Sequence, residues 1–137
     1  MTAVDPLRTV IRACVDDERT LRHESQFVDA RRVETLSRLA DERGQYVTEL
    51  ERLAACREPH DGSWSELSRE AERNLWVTTG GRNVSDAILA CRHSRVRTVA
   101  AYDQALQESW PKGIACVLAA QRARIHDEGD ELDKLQF

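Results

Sequence analysis

Two glutamates and one histidine are the side chains of this sequence with the best prospect of shared chemistry. Glu18, Glu42 and His126 each fall within a separate segment whose apolar residues repeat every three or four positions. Carboxylates and imidazoles that point inward from several helices are the ligands of di-metal helical bundles, where they hold iron or manganese. The three residues therefore form a candidate metal site, to which Gln121 or Glu128 could add a ligand.

The complete di-metal motif is absent from the sequence. Such a site needs two Glu-x-x-His pairs, because this spacing places the carboxylate and the imidazole on one face of a helix. The residues three positions before the four histidines are Thr20, Arg57, Ala90 and Ala123, and none of them is acidic. We therefore expect no cofactor, with iron or manganese as the alternative.

An internal ion pair is the competing interpretation of the same glutamates. Arg95 falls on the apolar stripe of a later helical segment, so it is expected to face inward toward Glu18 or Glu42. A guanidinium can make two hydrogen bonds to one carboxylate and stays charged when it is buried. Because the pair would place a positive charge where a metal cation would bind, the sequence favours the ion pair over the metal site.

The elements that must position these residues are long helices. The spacing of apolar residues, the capping residues and the breaks predict one domain over residues 1–137, with helices at about 5–28, 30–57, 63–79, 84–109 and 111–134. The helix at 63–79 is short and lies within a long connection between the second and third main helices. The sequence therefore predicts an all-α protein, a four-helix bundle with a long crossover that carries a short extra helix.

Composition agrees with this class and argues against several others. Charged residues make up 32% of the 137 residues and aromatic residues 5%, a balance that favours helices over sheets. The net charge is −4 and no block of Lys or Arg stands out, so nucleic-acid binding is not expected. No apolar run approaches the roughly 20 residues of a membrane helix. The four cysteines lack close spacing and no secretion signal is apparent, so we expect free thiols in a cytoplasmic protein.

Five stretches, in their order and spacing, resemble a bacterial ferritin-like domain family of unknown function. They are LRTVIRACVDDERTL from Leu7, LADERGQYVTEL from Leu39, SWSELSREAERNLW from Ser63 with the TGG that follows, DAILACRHSRVRTVAAYDQAL from Asp86, and the stretch from Gln121 to His126. The resemblance covers about residues 7–135. It implies a ferritin-like fold and a cytoplasmic location, and it supplies no reaction.

The same resemblance bears on the candidate site residues. By analogy with metal-binding ferritin-like proteins, Glu18, Glu42 and His126 match positions at which inward acidic or histidine side chains are expected. The family is typically acidic where this chain has Arg92 and Arg95. Two negative charges are thus replaced by two positive ones, which argues against a metal at this position.

Three functional hypotheses follow from the sequence. The leading one is a non-catalytic interaction or stress-associated protein, whose polar centre is filled by ion pairs. The first alternative is a metal-binding or weakly iron-oxidising protein that uses Glu18, Glu42 and His126. The second alternative is an adaptor that binds a partner through an apolar groove near Trp64 and Trp76. Self-association as a homodimer fits all three, since the surfaces of helical bundles often pair.

Overall fold

A computed structural model describes residues 5–57 and 83–135 of the chain. Its helices are α1 (Pro6–Glu24), α2 (Ala30–Arg57), α3 (Val84–Ala105), α4 (Lys112–Asp127) and α5 (Gly129–Lys134), with a 3-10 turn at Ser25–Phe27. The two described ranges contain helices and turns and no strand, so the predicted all-α class is confirmed. The short helix predicted at 63–79 lies outside the described residues.

Polar side chains cap the N-termini of three of the helices. The Asp5 carboxylate accepts a hydrogen bond from the Leu7 N–H at 3.0 Å, and Pro6 occupies the first turn, where a missing N–H costs nothing. The Asn83 side chain accepts from the Asp86 N–H at 2.8 Å at the start of α3. Asp29 precedes α2 and accepts from the Arg32 N–H at 3.0 Å. Each contact satisfies a backbone donor that the helix itself leaves unpaired.

The structure divides two of the predicted helices differently. The helix predicted at 5–28 ends at Glu24, where the chain tightens into the 3-10 turn. The single helix predicted at 111–134 is two helices, because the chain breaks at Glu128 between α4 and α5. At the end of α3, the Ala105 carbonyl accepts from the Trp110 indole N–H at 2.7 Å and from the Glu108 N–H at 3.0 Å.

The helices pack around α1 and α3. Helix α1 packs along both α2 and α3, and α3 packs in turn against α4 and α5. Side chains, rather than close backbone contacts, connect α2 to α4 and α5 across the remaining side. None of the described helices has a segment long and apolar enough to cross a membrane.

Two apolar clusters form the core. The first, which we call the lower cluster, consists of Leu7, Val10, Ile11, Cys14, Val15, Val47, Leu50, Ala54, Tyr102, Ala105, Ile114, Leu118 and Ile125. The second, the upper cluster, consists of Leu21, Leu36, Leu39, Ala40, Ile88, Cys91, Leu132 and Leu135. Burial of this apolar surface is the main force that holds the helices together.

A buried polar layer separates the two clusters. Asp17, Arg43 and Glu128 each follow a member of one cluster by three residues and precede a member of the other by four. Ser94 follows Cys91 of the upper cluster by three residues and is also buried. The spacing that builds the apolar core therefore also directs these four polar side chains to the centre of the bundle.

Candidate functional site

Arg43 is the centre of the polar layer. Its side chain on α2 is 1% exposed. The guanidinium donates from Nε to Oδ2 of Asp17 on α1 at 2.6 Å, and from Nη2 to Oε2 of Glu128 at the break between α4 and α5. One side chain thus joins three parts of the bundle.

Asp17 is fully hydrogen-bonded. Its second carboxylate oxygen accepts from the Ser94 hydroxyl of α3 at 2.6 Å, so both oxygens have a partner. The Thr98 hydroxyl donates to the Ser94 carbonyl at 2.9 Å and extends the network by one helical turn. A buried carboxylate is tolerated only when it is paired and hydrogen-bonded in this way.

The net charge of the polar layer is zero when one of its two carboxyl groups is protonated. Burial by itself would lower the pKa of Arg43, but the charges of Asp17 and Glu128 and their hydrogen bonds raise it, so the guanidinium stays positive. Burial raises the pKa of Glu128 to about 7, although Arg43 acts against that rise. With Glu128 protonated, the single positive charge of Arg43 is matched by the single negative charge of Asp17.

Glu42 lies beside Glu128 and nearer to the surface. The two carboxyl groups are within hydrogen-bonding reach of each other. Glu42 also accepts from the Tyr46 hydroxyl at 2.5 Å and from Arg124 Nε at 3.1 Å. Burial alone would raise the pKa of Glu42, but the hydrogen bonds from Glu128, Tyr46 and Arg124 outweigh it and lower that pKa.

A second buried chain of hydrogen bonds lies next to the ion-pair layer. The Tyr102 hydroxyl donates to Gln121 Oε1 at 2.6 Å, so the Cys14 thiol, 3.1 Å from the same hydroxyl, is its donor. Burial raises the pKa of Cys14 to about 12. The thiol therefore stays protonated at neutral pH and is a poor nucleophile or metal ligand.

An open depression leads from the surface to this region. It lies on the side where α2 faces α4, and it is lined by Arg38, Asp41, Glu42, Gln45, Tyr46 and Arg124. Glu42 connects the depression to the buried layer, since it contacts both Arg124 at the rim and Glu128 beneath. The lining is polar and carries both signs of charge.

The structure pairs Glu18 and Arg95 differently from the predicted internal ion pair. Glu18 accepts from Arg22, one turn along α1, at 3.0 Å, and the same Arg22 contacts Asp41 at 2.9 Å. Arg95 donates from Nη1 to the His126 carbonyl at 3.3 Å. Its positive charge thus lies near the carboxyl end of α4, where the helix dipole favours it. The residues that face the centre are instead their neighbours in the chain.

The three candidate metal ligands do not form one site. Glu18 and Glu42 each have an arginine partner, and His126 is 59% exposed with its Nδ1 3.6 Å from Asp127. Among the residues that the structure describes, no group of three His, Cys, Asp or Glu side chains is placed to hold a metal ion. Arg92 contacts Asp133 of α5 at 2.9 Å.

Two further predicted positions can be placed only in part. Gln121 and Glu128, which the sequence offered as additional ligands, are both buried, but Gln121 accepts from Tyr102 and Glu128 from Arg43. Trp64 and Trp76, which are predicted to line an apolar groove, lie outside the described residues.

Comparisons of the chain with protein-family models, with curated proteins and with solved structures found no match.

Three of the four residues that build the polar layer are not among the site residues predicted from the sequence. The sequence predicts Glu18, Glu42 and Arg95, whereas the structure places their neighbours Asp17, Arg43 and Ser94 in the layer. The signal that could have identified Asp17 and Arg43 is their shared spacing, because both precede an apolar residue by four and follow a small one by three. Ser94 carried no such signal, since serine is common on exposed helix faces.

Proposed function

We propose that this chain is a ferritin-like helical bundle that acts as a non-catalytic interaction protein, with an arginine-centred ion-pair cluster in place of a metal cluster. The observation that carries the proposal is the position of Arg43. Its guanidinium lies between Asp17 and Glu128 with 1% of its surface exposed. The centre of the bundle thus has a permanent cation that belongs to the protein.

A metal ion at the same centre would be disfavoured by that charge. Two positive charges a few ångströms apart in a poorly hydrated interior repel strongly. Both inward carboxylates are also engaged, Asp17 by Arg43 and Ser94, and Glu128 by Arg43. A metal would have to displace these hydrogen bonds before it could gain its own ligands.

The closed nature of the layer supports a role other than catalysis. Asp17, Arg43 and Glu128 are between 1% and 4% exposed, so a substrate has no access to them in this structure. The buried thiol of Cys14 is held protonated. Buried ion pairs of this kind can fix the register of a bundle, which is the use we propose here.

Two exposed apolar side chains of α3 support the interaction role. Leu89 and Val96 are 42% and 56% exposed, and their separation of seven residues places them on the same side of the helix. We take a second copy of this chain as the partner. The resemblance to a bacterial ferritin-like family supports a cytoplasmic location.

Titration with ferrous iron tests the first part of the proposal. Metal-free protein is titrated under anaerobic conditions and then exposed to air, with a buffer control and with Glu42→Gln measured in parallel. We expect no binding above the buffer control in either protein. Stoichiometric binding with rapid oxidation, reduced in Glu42→Gln, would overturn the proposal in favour of an iron site.

Light scattering after size exclusion tests the second part. We expect the parent protein to elute as a dimer at micromolar concentration and Val96→Glu to elute as a monomer. Gln107→Glu is the matched control, because it adds the same charge just beyond α3 and should leave the dimer intact. A parent protein that is monomeric at every concentration would disprove self-association.

A further inference from the structure

We propose that Glu42 and Glu128 hold one proton between them, and that this proton acts as a latch between α2 and the junction of α4 and α5. The latch does not depend on the proposed partner. It is a conformational device within the fold.

The geometry of Glu128 supplies the first step. Its Oε2 accepts from Arg43, whereas its Oε1 is buried and accepts no hydrogen bond from another residue. The neighbour within hydrogen-bonding reach is the carboxyl group of Glu42. Two carboxyl groups can bond to each other only when one of them carries a proton, because an ionised carboxylate has no donor.

The surroundings decide which carboxyl group carries the proton. Glu42 accepts from Tyr46 and from Arg124, and two such donors stabilise its ionised form. Glu128 is 4% exposed, and the one cation it contacts, Arg43, already neutralises Asp17. The proton therefore resides on Glu128, which donates it to Glu42. The raised pKa of Glu128 and the lowered pKa of Glu42 agree with this assignment.

Each neighbouring element carries charged or titratable groups that could act on Glu128. They are Asp17 on α1, Glu42, Arg43 and Tyr46 on α2, Arg95 on α3, Arg124 and His126 on α4, and Asp130 and Glu131 on α5. Arg95 lies against Gly129 rather than against the Glu128 carboxyl group, and His126 is 59% exposed beside Asp127. The carboxyl group that meets Glu128 directly is that of Glu42.

The position of the pair explains why its proton could control the structure. Side chains bridge α2 to α4 and α5 through Arg38 and Glu131 at 2.9 Å, Arg124 and Glu42 at 3.1 Å, and the buried Arg43 and Glu128. Glu128 itself is the residue at which α4 ends and α5 follows. Loss of the proton sets two negative carboxylates against each other at this joint, so α5 is the element that should loosen.

A spectroscopic measurement tests the proton itself. Carbon-13 NMR of glutamate side-chain carboxyl groups is recorded between pH 5 and 8 with a metal chelator present. We expect one carboxyl resonance of the parent to titrate near pH 7, and this resonance to be missing in Glu128→Gln. Glu49→Gln is the control, because Glu49 is exposed on the same helix as Glu42 and should leave the titration unchanged.

Amide hydrogen exchange tests the latch. Exchange is measured between pH 6 and 8 and corrected for the intrinsic exchange rate. Protection of residues 124–134 should fall roughly tenfold in the parent, which is the effect of a change of one pKa unit. Glu128→Gln should keep its protection at pH 8. Its amide can donate to Glu42 and its oxygen can accept from Arg43, so it mimics the protonated acid.

Several outcomes would overturn the proposal. One is the absence of any glutamate that titrates near pH 7 in the parent. Another is a loss of protection at pH 8 that is the same in Glu128→Gln, and a third is a transition seen only without chelator, which would indicate a bound cation. If Glu128→Gln does not fold, Glu42→Gln serves instead. The amide introduced at position 42 would donate to ionised Glu128, so the loss of amide protection should move to lower pH.

Discussion

Arg43 is the residue on which the centre of the bundle depends. Arg43→Ala would leave the buried carboxylate of Asp17 without its cation. We expect a loss of roughly 3–5 kcal/mol in the free energy of unfolding, the range observed when one partner of a buried ion pair is removed. Urea unfolding monitored by circular dichroism gives the value.

The control for this measurement is Arg97→Ala. Arg97 is exposed on α3, and a surface substitution of this kind should change stability by no more than about 0.5 kcal/mol. If Arg43→Ala costs as little as the control, Arg43 does not contribute the buried pairing that the structure shows.

The raised pKa of Glu128 predicts how the free energy of unfolding changes with pH. Its pKa in the folded protein is raised to about 7, so its contribution is complete below the ordinary value near 4.5 and is lost as the pH rises through about 7. Glu42 has the opposite sign, because its lowered pKa gives a contribution that is present above 4.5 and lost as the pH falls below that value. Between pH 5 and 8 the free energy of unfolding should therefore decline with rising pH.

Urea unfolding at pH 5, 6, 7 and 8 measures this decline. Glu128→Gln should show a flatter profile and should be more stable than the parent at pH 8, because the amide carries no charge to bury. A variant with the same slope as the parent would mean that another group causes the pH dependence.

At the residue scale, the sequence indicated Glu128 as an inward polar residue but not the other three members of the layer. In each of three helices, the inward polar residue is adjacent to the predicted one: Asp17 instead of Glu18, Arg43 instead of Glu42, and Ser94 instead of Arg95. Adjacent helical residues differ by about 100° in direction. Where two neighbours are both polar, the apolar pattern around them cannot decide which one faces inward, and the packing of the other helices decides it.

At the scale of elements, Gly129 at the joint between α4 and α5 leaves room for the guanidinium of Arg95. A Cβ atom on Gly129 would lie 2.8 Å from Cζ of Arg95, so any larger residue must displace that guanidinium. Gly129→Ala should therefore cost about 1 kcal/mol, since Arg95 loses its hydrogen bond to the His126 carbonyl. The free energy of unfolding in urea measures this cost.

Gly129→Ala should change from destabilising to stabilising when Arg95 is replaced by alanine. In an Arg95→Ala background the clash is gone, and Gly129→Ala should stabilise the protein by up to about 1 kcal/mol, the difference in helix propensity between the two residues. Arg95→Ala alone should cost about 1 kcal/mol, well below the loss expected if Arg95 were the internal partner of Glu18 or Glu42. Equal effects of Gly129→Ala in both backgrounds would refute the contact.

Local sequence signals were sufficient for some elements and insufficient for others. Asp5 with Pro6 at the start of α1, and Asn83 at the start of α3, are capping signals that act within a few residues of the chain. The break at Glu128 has no such side-chain cap, and Glu128 itself keeps a helical backbone conformation. A break of this kind leaves no capping pattern in the local sequence.

At the scale of the whole molecule, the polar layer lies between two apolar clusters that could have been continuous. Buried ion pairs generally add little net stability, because the loss of hydration offsets their attraction. The value of this layer should therefore be the specificity of the packing, since Arg43 can satisfy Asp17 and Glu128 only when the helices adopt one register. Four apolar or small residues would fill the same space without that restriction.

Replacement of the whole layer separates stability from specificity. We expect the combined variant Asp17→Leu, Arg43→Met, Ser94→Ala and Glu128→Leu to be as stable as the parent or more stable, by roughly 1–4 kcal/mol, in contrast to Arg43→Ala alone. Its stability should no longer decline between pH 5 and 8, because the titrating carboxyl group is gone. Urea unfolding gives both results.

The same variant should lose uniqueness of structure if the layer fixes the register. Broad, poorly dispersed NMR signals or mixed oligomers in light scattering, together with retained stability, would show that the ion pairs select one packing arrangement. A variant that is stable, sharply resolved and of the parent's oligomeric state would show that the apolar clusters alone specify the bundle. The role of the layer would then be confined to the proton that Glu128 holds against Glu42.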